Sequence, residues 1–487
     1  MYSKLTKFLT CLVILVVLHP AMAADQDLIS LFPIEHYDQT LSHWIKPTDN
    51  PLLSKAQQNT LMEELYRHYY SADPKALSPW SPDYINKIFS LDLYSGIMGV
   101  LDKFDNQNKP ADQIGYGANF RPYSSQWIEQ IRNNVYAEQF RNPKKYNPNN
   151  RAIAVDNLMG RDLPTDDPHF YDHHLPGQGY PFDNLQGSAV WAGTPLYIMS
   201  ESQDHAWDLV LTPDYYLAWV KSSGVAKVNN AFVKTFSEKA KIQLAGIAKN
   251  NLSILDEHHN YRFSGYIGMI FPVANKDATS IKILIPVKDE KGYAQIHEAV
   301  ADVNLLPLSA TPHHFSDLIQ QNINRSYGWG NMYYLNDCSA ETKNLLVNFG
   351  IWVPRHSTYQ VDPQKVMGQF INLSPEPLDN RIVITNQSAH PLLSIIYIGH
   401  HVMLYVGNNA VYENMWGFSP KDNPSRVVIG QAVFLPLAKS FPENPQFASQ
   451  AGHEIYQIMN LDVLPKDIQA FRDLEFNNVD MHALMSP

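Results

Sequence analysis

The sequence predicts a multi-domain α+β protein, in which a helical region and two strand-rich blocks precede a final helix-and-sheet domain. Three observations lead to this prediction. The 487 residues are too many for one ordinary core. The 33 prolines and the 12% aromatic content favour short strands and ordered loops. The spacing of apolar residues also changes from helical to strand-like along the chain.

The first 23 residues have the three parts of an export signal. Lys4 and Lys7 carry positive charge, Phe8 to Leu18 is almost entirely apolar, and Ala21-Met22-Ala23 is a cleavage site of small residues. The apolar run is shorter than the ~20 residues that a membrane-spanning helix needs. We therefore expect residues 1–23 to be removed and the mature chain to be exported, to the periplasm or beyond, without a membrane span.

Removal of the signal changes the cysteine count and the charge. The chain has two cysteines, Cys11 and Cys338, so the mature chain would keep Cys338 alone and could form no intramolecular disulfide. The formal charge is −11, and the loss of Lys4 and Lys7 leaves 35 basic against 48 acidic residues. Such an acidic chain lacks the positive field that binds phosphate backbones, so we expect no nucleic-acid partner.

The region 24–145 is predicted to be helical. From Lys55 to Tyr70, the residues Leu61, Leu65 and Tyr69 recur at the spacing of one helix face. A similar pattern runs from Ser125 to Phe140, and the stretch 141–150, rich in Pro, Asn and Lys, reads as a linker.

Short apolar runs separated by turn residues fill the next two blocks. Residues 146–230 contain five such runs and predict a small β-barrel. Residues 231–310 form a second β-rich block, with Tyr266 to Val273 and Ser280 to Val287 as its clearest strands. The five runs of the first block are Arg151 to Val155, Ser188 to Trp191, Pro195 to Met199, Asp208 to Leu211 and Tyr216 to Val220.

The last domain is predicted to span residues 311–487. A helix is expected to begin around Asp337 to Ser339 and to be followed by three strands, with a tight turn at Gly407-Asn408-Asn409 between the last two. These strands are Leu392 to Ile398, His401 to Val406 and Val411 to Trp416.

Cys338 lies where a loop becomes this helix. Asp, Asn and Ser are preferred N-cap residues, so the sequence Asn336-Asp-Cys-Ser339 predicts that the thiol lies in the first helical turn. The helix dipole and the free N–H groups there favour the thiolate, which is the nucleophilic form. Cys338 is therefore a candidate nucleophile rather than an inert core residue.

A thiolate nucleophile needs a base, and His401 at the start of a strand is the candidate. His400 is its competitor and faces the opposite side. The base needs a group that fixes its tautomer. Because the tight turn folds the next strand back, Glu413 or Asn414 is expected near His401, and the sequence leaves the choice between them open.

Several motifs in this order resemble the NlpC-type cysteine peptidases, which are papain-like enzymes that hydrolyse peptidoglycan stem peptides. Upstream motifs resemble the bacterial SH3-like domain that precedes the peptidase in a multi-domain branch of that family. The peptidase-like motifs are Tyr327-Gly-Trp-Gly330, Asp337-Cys-Ser339, Phe349-Gly-Ile-Trp-Val-Pro-Arg355 with Ser357 and Gln360, His401-Val-Met-Leu-Tyr405 and Asn414-Met-Trp-Gly417. The SH3-like motifs are Leu163-Pro-Thr165, Pro168 to Phe170 and Gly179-Tyr-Pro-Phe-Asp-Asn-Leu-Gln186.

The resemblance implies a papain-like domain preceded by two small SH3-like barrels, at 146–230 and 231–310, and by an N-terminal stabilising region. It makes Cys338 the nucleophile, His401 the base and Glu413 the third catalytic residue, although the family commonly has His in that third place. It also implies that Tyr327, Asp337 and Ser339 bind substrate, Tyr327 near the reacting carbonyl and Asp337 at the free amino end.

In relatives with this architecture the first SH3-like domain narrows the cleft. The implied reaction is hydrolysis of stem peptides or muropeptides that begin with free L-Ala, between γ-D-Glu and the following diamino acid.

Two other functions remain open on the sequence. The first is a catalytically weak or inactive protein that binds wall peptides, for which the departure at Glu413 is the main argument. The second is an acyl- or amide-transferring relative with the same Cys–His pair.

No metal site and no cofactor are expected. The pairs His173-His174, His258-His259 and His313-His314 suggest metal binding at first sight. Adjacent residues on an extended chain point in opposite directions, however, and zinc-like Cys/His spacing is missing from the sequence.

Overall fold

The computed structural model describes residues 29–142, 144–175, 178–420, 426–437 and 440–485. The predicted export signal, residues 1–23 with Lys4, Lys7 and Cys11, lies outside the described residues. Among the helices of the described ranges, none combines the length and the apolar character that a membrane crossing requires.

The N-terminal region begins with a short strand and continues as five helices. The helix predicted from Lys55 is present and starts with a capping box, in which Ser54 and Gln57 satisfy each other's backbone N–H groups. The helix predicted from Ser125 to Phe140 is interrupted at Tyr136, whose left-handed backbone (φ 47°) is followed by a 3₁₀ turn. The elements are β1 (Ile29–Leu31), α1 (Leu41–Trp44), α2 (Lys55–Tyr69), α3 (Pro82–Phe89), α4 (Leu93–Lys103) and α5 (Ser125–Val135).

The next block is a seven-stranded antiparallel sheet in the order β4-β3-β7-β6-β5-β2-β8. The five predicted strands are present, and the short strands β3 and β8 complete the sheet. The strands are β2 (Arg151–Ala154), β3 (Leu158–Arg161), β4 (Gln186–Val190), β5 (Pro195–Glu201), β6 (Trp207–Leu211), β7 (Leu217–Lys221) and β8 (Val225–Lys227).

Helix α6 (Asn230–Ile242) leads into a five-stranded antiparallel sheet in the order β14-β13-β12-β9-β15, beside the hairpin β10-β11. The predicted strand from Tyr266 is wrong at its start. Tyr266 accepts a hydrogen bond from the N–H of Met269, and Gly268 has a φ of 106°, so these residues form a turn before the strand begins. The strands are β9 (Leu244–Ile247), β10 (Leu252–Leu255), β11 (Tyr261–Gly265), β12 (Ile270–Lys276), β13 (Ile281–Lys288), β14 (Ala294–Val300) and β15 (Val303–Leu306).

The last domain packs helices against a seven-stranded sheet in the order β1-β20-β19-β18-β17-β21-β16. Strand β1 joins it from the N-terminal region, parallel to β20, and the other pairings are antiparallel. The helices are α7 (Pro312–Asn322), α8 (Cys338–Leu346), α9 (Leu378–Ser388), α10 (Ile468–Asn477) and α11 (Met481–Leu484). The strands are β16 (Gln369–Asn372), β17 (Ser394–Tyr397), β18 (Val402–Gly407), β19 (Ala410–Phe418), β20 (Arg426–Pro436) and β21 (Gln457–Asn460).

Helix α8 is held from two sides. Its residues Leu345 and Leu346 share a core with Val402 and Leu404 of β18. On another side, Lys343 Nζ donates a hydrogen bond of 2.6 Å to Asp214 Oδ2, in the loop between β6 and β7. The first sheet therefore braces the helix that begins with Cys338.

Candidate active site

Cys338 is the first residue of α8 and is largely buried, with 8% of its surface exposed. Asp337 is the N-cap residue, and its Oδ1 accepts a hydrogen bond of 2.8 Å from the N–H of Ala340. The thiol therefore lies at the positive end of the helix dipole, where the thiolate is favoured.

His401 and Glu413 form a hydrogen-bonded pair. The His401 Nε2 atom lies 2.5 Å from Glu413 Oε2, and the Glu413 side chain is completely buried while 21% of the His401 side chain is exposed. Because Nε2 is occupied by Glu413, Nδ1 is the ring nitrogen left to face Cys338, whose charge raises the pKa of His401. The three side chains are thus arranged as a candidate nucleophile, base and orienting group.

The alternatives to His401 and Glu413 point elsewhere. Strand β19 alternates, so Asn414 faces away from Glu413 and donates from Nδ2 to the backbone oxygen of Asn336 at 2.9 Å. His400 is exposed in the turn between β17 and β18, with a left-handed φ of 62°.

The electrostatics of the pair favour a protonated His401. Burial lowers the pKa of His401, but the charge and hydrogen bond of Cys338, followed by those of Glu413, outweigh burial and raise it to about 10. An imidazolium that is stable at neutral pH stabilises a thiolate beside it, so the geometry suits an ion-paired nucleophile.

Gln450 binds the second carboxylate oxygen of Glu413, and the sequence did not predict this contact. Its Nε2 donates a hydrogen bond of 3.0 Å to Glu413 Oε1, and only 1% of the residue is exposed. Gln450 follows Glu413 by 37 residues and lies in no recognisable motif, so the sequence carried no signal that would have found it.

Asp337 and Ser339, on either side of Cys338, are both bound by Arg355. Arg355 donates 2.6 Å hydrogen bonds to Asp337 Oδ2 and to Ser339 Oγ, and its Nε donates to Ser188 Oγ of β4 at 2.9 Å. Burial lowers the pKa of this guanidinium, but Asp337 outweighs burial and raises it, so Arg355 stays charged. The sequence motif contained Arg355 but did not reveal that it links β4 to the nucleophile's helix.

Tyr327 lines a cleft of about 330 Å³ together with His401, Glu413 and Trp416. Burial raises the pKa of the Tyr327 hydroxyl well above its usual value, and the negative charges of Cys338 and Asp337 raise it further. The hydroxyl therefore stays neutral and can donate a hydrogen bond into the cleft.

The reasoning about histidine pairs is wrong at one place. His173 and His174 lie in a turn rather than on an extended chain, and their ring centroids are 3.9 Å apart. Together with Asp172 they bring potential metal-ligating atoms within 4.8 Å of one another. These three side chains are all at least partly exposed.

Comparison with known proteins agrees with this architecture. The family model for an SH3 domain of the SH3b1 type matches residues 168–221. A solved NlpC/P60 endopeptidase from Photobacterium damselae subsp. piscicida is 25% identical, with a TM-score of 0.73, and the alignment covers 90% of this chain and 100% of that one. An NlpC/P60 family protein from Bacillus cereus is 14% identical over 61% of this chain and 97% of its own, but its TM-score of 0.40 adds no support. No curated protein sequence matches the chain.

The chain therefore has a mixed α+β fold similar to that of a solved NlpC/P60 endopeptidase, and it contains an SH3-like domain. The resemblance in its motifs is confirmed, and the solved Photobacterium enzyme is similar to it over nearly the whole length.

Proposed function

We propose that the protein is an exported cysteine peptidase of the bacterial cell wall. Its substrates would be peptidoglycan stem peptides or muropeptides, cut between γ-D-Glu and the diamino acid, with preference for peptides that begin with free L-Ala. The observation that carries the proposal is the grouping of Cys338, at the start of α8, with the hydrogen-bonded pair His401 and Glu413, which lines a cleft. The similarity to a solved NlpC/P60 endopeptidase supports the same reading.

The first half of the reaction forms a thioester. The Cys338 thiolate attacks the γ-carbonyl carbon of D-Glu, and the C–N bond to the diamino acid breaks as His401 Nδ1 gives its proton to the leaving amine. Negative charge develops on the carbonyl oxygen. The Cys338 N–H, free at the start of α8, and the neutral Tyr327 hydroxyl are donors suited to stabilise it.

The second half returns the enzyme to its starting state. His401, now neutral, takes a proton from water, and the hydroxide attacks the thioester carbon. The C–S bond breaks with its electron pair going to sulfur, so the thiolate forms again beside the imidazolium, and the L-Ala-γ-D-Glu dipeptide leaves as a carboxylic acid that gives its proton to water. No cofactor takes part in this scheme.

Glu413 would keep His401 oriented through both steps. A carboxylate that accepts from Nε2 holds Nδ1 toward the sulfur and stabilises the imidazolium. Gln450 holds the second oxygen of Glu413, so the carboxylate cannot rotate without losing a hydrogen bond. A glutamate can therefore fill the place where the family commonly has histidine.

The amino end of the substrate would be read beside Asp337 and Ser339. The two side chains flank the nucleophile, and Arg355 fixes both. The SH3-like block would close this end of the cleft, since Ser188 of β4 also contacts Arg355. We propose the predicted domain limits, 146–230, 231–310 and 311–487, for the two barrels and the peptidase domain.

The proposal is tested with purified protein and the tripeptide L-Ala-γ-D-Glu-diaminopimelate. Wild type should release L-Ala-γ-D-Glu, and Cys338→Ala should release none while it keeps the wild-type circular dichroism. Equal release by the two proteins would exclude Cys338 as the nucleophile. Tight binding of the tripeptide without release by wild type would identify the alternative, an inactive wall-binding protein.

A matched substrate tests the amino-end preference. Acetylation of the L-Ala amine removes its charge and leaves the scissile bond unchanged. We expect kcat/KM for wild type to fall about 10-fold or more, because the acetylated substrate loses the ammonium group that would pair with Asp337. Equal rates on the two substrates would rule out a role for Asp337 in amine recognition.

A further inference from the structure

A second cavity, of about 500 Å³, lies beside the catalytic cleft. Three parts of the chain line it. Phe120 comes from the N-terminal region, Phe170 and Tyr180 come from the loop between β3 and β4, and Tyr333 comes from the loop before α8. The proposed catalytic mechanism uses none of these aromatic residues.

Three of the aromatic rings lie at the rim of this aromatic cavity and are exposed to solvent. Phe120 is 40% exposed, Tyr180 62% and Tyr333 68%, although large aromatic residues are mostly buried in folded proteins. Phe120 also stacks on Phe170, with ring centroids 5.8 Å apart. Such a group of exposed rings around a cavity is typical of a binding site.

Two of the rim residues have strained backbones. Phe120 has a φ of 53° and Tyr333 a φ of 56°, in the left-handed region that bulky residues rarely adopt. Backbone strain of this kind persists where the surrounding structure enforces it, and it is concentrated at functional sites.

The floor of the aromatic cavity is polar and buried. Arg161 is 7% exposed, and its Nη1 donates a 3.0 Å hydrogen bond to Asp183 Oδ2. Within the described part of the chain, Arg161 Nε has no acceptor. Gln186 and Asp183 also line the floor, so a guanidinium, a carboxylate and an amide lie below the aromatic rings.

Gly330, in the loop before α8, connects these polar residues to the start of α8 through hydrogen bonds. Gln186 Nε2 donates to the Gly330 carbonyl oxygen at 2.8 Å, and the Gly330 N–H donates to Asp337 Oδ2 at 3.1 Å. A Cβ at Gly330 would lie 2.1 Å from the Gln186 oxygen, so only glycine allows this close approach. A ligand in the aromatic cavity would therefore lie next to the amino end of a peptide in the cleft.

We propose that the aromatic cavity binds an N-acetylated amino sugar of the wall glycan. A pyranose ring presents C–H groups to aromatic faces, which carry negative charge, and its hydroxyl and acetamide groups need hydrogen-bond partners. The rim supplies the faces and the floor supplies the polar groups. The identity of the sugar rests on the proposed function, because the wall polymer that supplies the stem peptides is built of such sugars.

The proposed preference for a free L-Ala amine excludes a sugar joined to that amine, so the sugar would belong to a separate glycan strand, and binding measurements test this. Calorimetry would use Cys338→Ala, so that no substrate is cut, with three probes. These are the disaccharide of N-acetylglucosamine and N-acetylmuramic acid, the free tripeptide, and the disaccharide carrying that tripeptide. The disaccharide alone should bind with a dissociation constant of about 1 mM or tighter.

Substitutions at the rim then locate the site. In the same background, Phe120→Ala and Tyr180→Ala should each weaken disaccharide binding about 10-fold, as expected for the loss of a stacking face. Tyr261→Ala is the matched control, since Tyr261 is a tyrosine 58% exposed on β11 and lies outside the cavity. It should bind the disaccharide as the parent does. Melting temperatures of all variants check that each is folded.

Each outcome bears on the proposal. Simultaneous binding of the two separate probes supports a separate strand, and tighter binding of the linked probe than of either part would overturn it. Failure of the disaccharide to bind, or unchanged binding in both rim variants, would overturn the proposal. Loss of tripeptide binding alone in the rim variants would also overturn it and make the cavity a peptide subsite. Cleavage of the free tripeptide by wild type tests the proposed function separately, because it does not need the sugar.

Discussion

In the described part of the chain, two histidine–glutamate pairs have a completely buried glutamate, and one of the two adjoins Cys338, the proposed nucleophile. His68 Nε2 lies 2.8 Å from Glu475 Oε1, and His401 Nε2 lies 2.5 Å from Glu413 Oε2. Both glutamates have completely buried side chains. The same two residue types thus meet in nearly the same geometry at two places.

The pair at His68 has every group occupied. Its Nδ1 is bonded to the backbone oxygen of Glu64 at 2.8 Å, and its ring stacks on Trp352 with centroids 3.6 Å apart. Glu475 also binds Arg67 and accepts a hydrogen bond from the Tyr215 hydroxyl. This cluster joins α2, α10 and the loop between β6 and β7, and it has no free ring nitrogen.

The pair at His401 differs in its partners. Glu413 meets neutral Gln450 rather than an arginine, so the glutamate charge acts mainly on His401. The His401 ring is partly exposed, and its other nitrogen, Nδ1, is left to face Cys338. The hydrogen bond between histidine and glutamate is therefore common to both pairs. The other contacts of each histidine distinguish the pair that we propose to be catalytic from the pair that joins structural elements.

The largest expected effect is a loss of activity when His401 is replaced, with no such loss when His68 is replaced. His401→Ala removes the proton carrier and should lower kcat/KM of the folded enzyme about 10²- to 10⁴-fold, and the loss of a partner for buried Glu413 should also lower the free energy of unfolding. His68→Ala should lower that free energy and leave kcat/KM of the folded enzyme near wild type. Tripeptide hydrolysis and urea unfolding measure the two quantities. An equal decrease of kcat/KM in both variants would contradict the distinction between the two pairs.

The next effect is on stability at the His68 pair. Glu475→Ala removes one of the two carboxylates that pair with buried Arg67 and the acceptor of His68, while Glu64 stays paired with Arg67, so it should lower the free energy of unfolding by about 3 kcal/mol. Burial raises the pKa of Glu475, but His68 and Arg67 outweigh burial and lower it. Its contribution to stability is therefore present above about pH 4 and is lost as the pH falls below that range. Wild-type unfolding curves between pH 7 and pH 3 should converge on those of the variant, and a constant difference would contradict this.

A smaller effect is expected at Glu413. Glu413→Gln keeps the size of the side chain but removes its charge, and kcat/KM should fall on the order of 10²-fold. Because Glu413 raises the pKa of His401, the alkaline limb of the pH–rate profile should move from about pH 10 to lower pH. Glu413→His, which creates the common family pattern, should recover part of the rate. An unchanged rate in Glu413→Gln would transfer the orienting role to another group.

The smallest effect is expected at Gln450. Gln450→Leu removes one hydrogen bond to a buried carboxylate, and such bonds contribute about 1.5–3 kcal/mol. If about 1 kcal/mol of this acts on the barrier, kcat/KM should fall roughly 5-fold. The reduction should appear in kcat rather than in KM, since Gln450 acts through Glu413. Gln450→Glu places a like charge beside Glu413 and should move the alkaline limb of the pH–rate profile to higher pH. A change in KM alone would make Gln450 a substrate contact instead.

The sequence predicted the elements that depend on local pattern. Asp337 and Cys338 read as a helix start because N-capping is a short-range property, and Gly407 with its two asparagines marked the hairpin that folds β19 back. The choice between Glu413 and Asn414 depended on strand register, which the sequence left open. Gln450, Phe120 and Tyr333 reach their sites through long-range packing, so no local pattern could reveal them.

The most direct test of the account is the protonation of the His401 ring, followed by ¹⁵N NMR between pH 5 and pH 11 in wild type and in Cys338→Ala. We expect the wild-type ring to stay protonated on both nitrogens up to about pH 10. In Cys338→Ala it should lose its proton at lower pH, because the sulfur charge is gone. A wild-type ring that is neutral at pH 7, or one that titrates alike in both proteins, would contradict the ion-paired Cys338, His401 and Glu413.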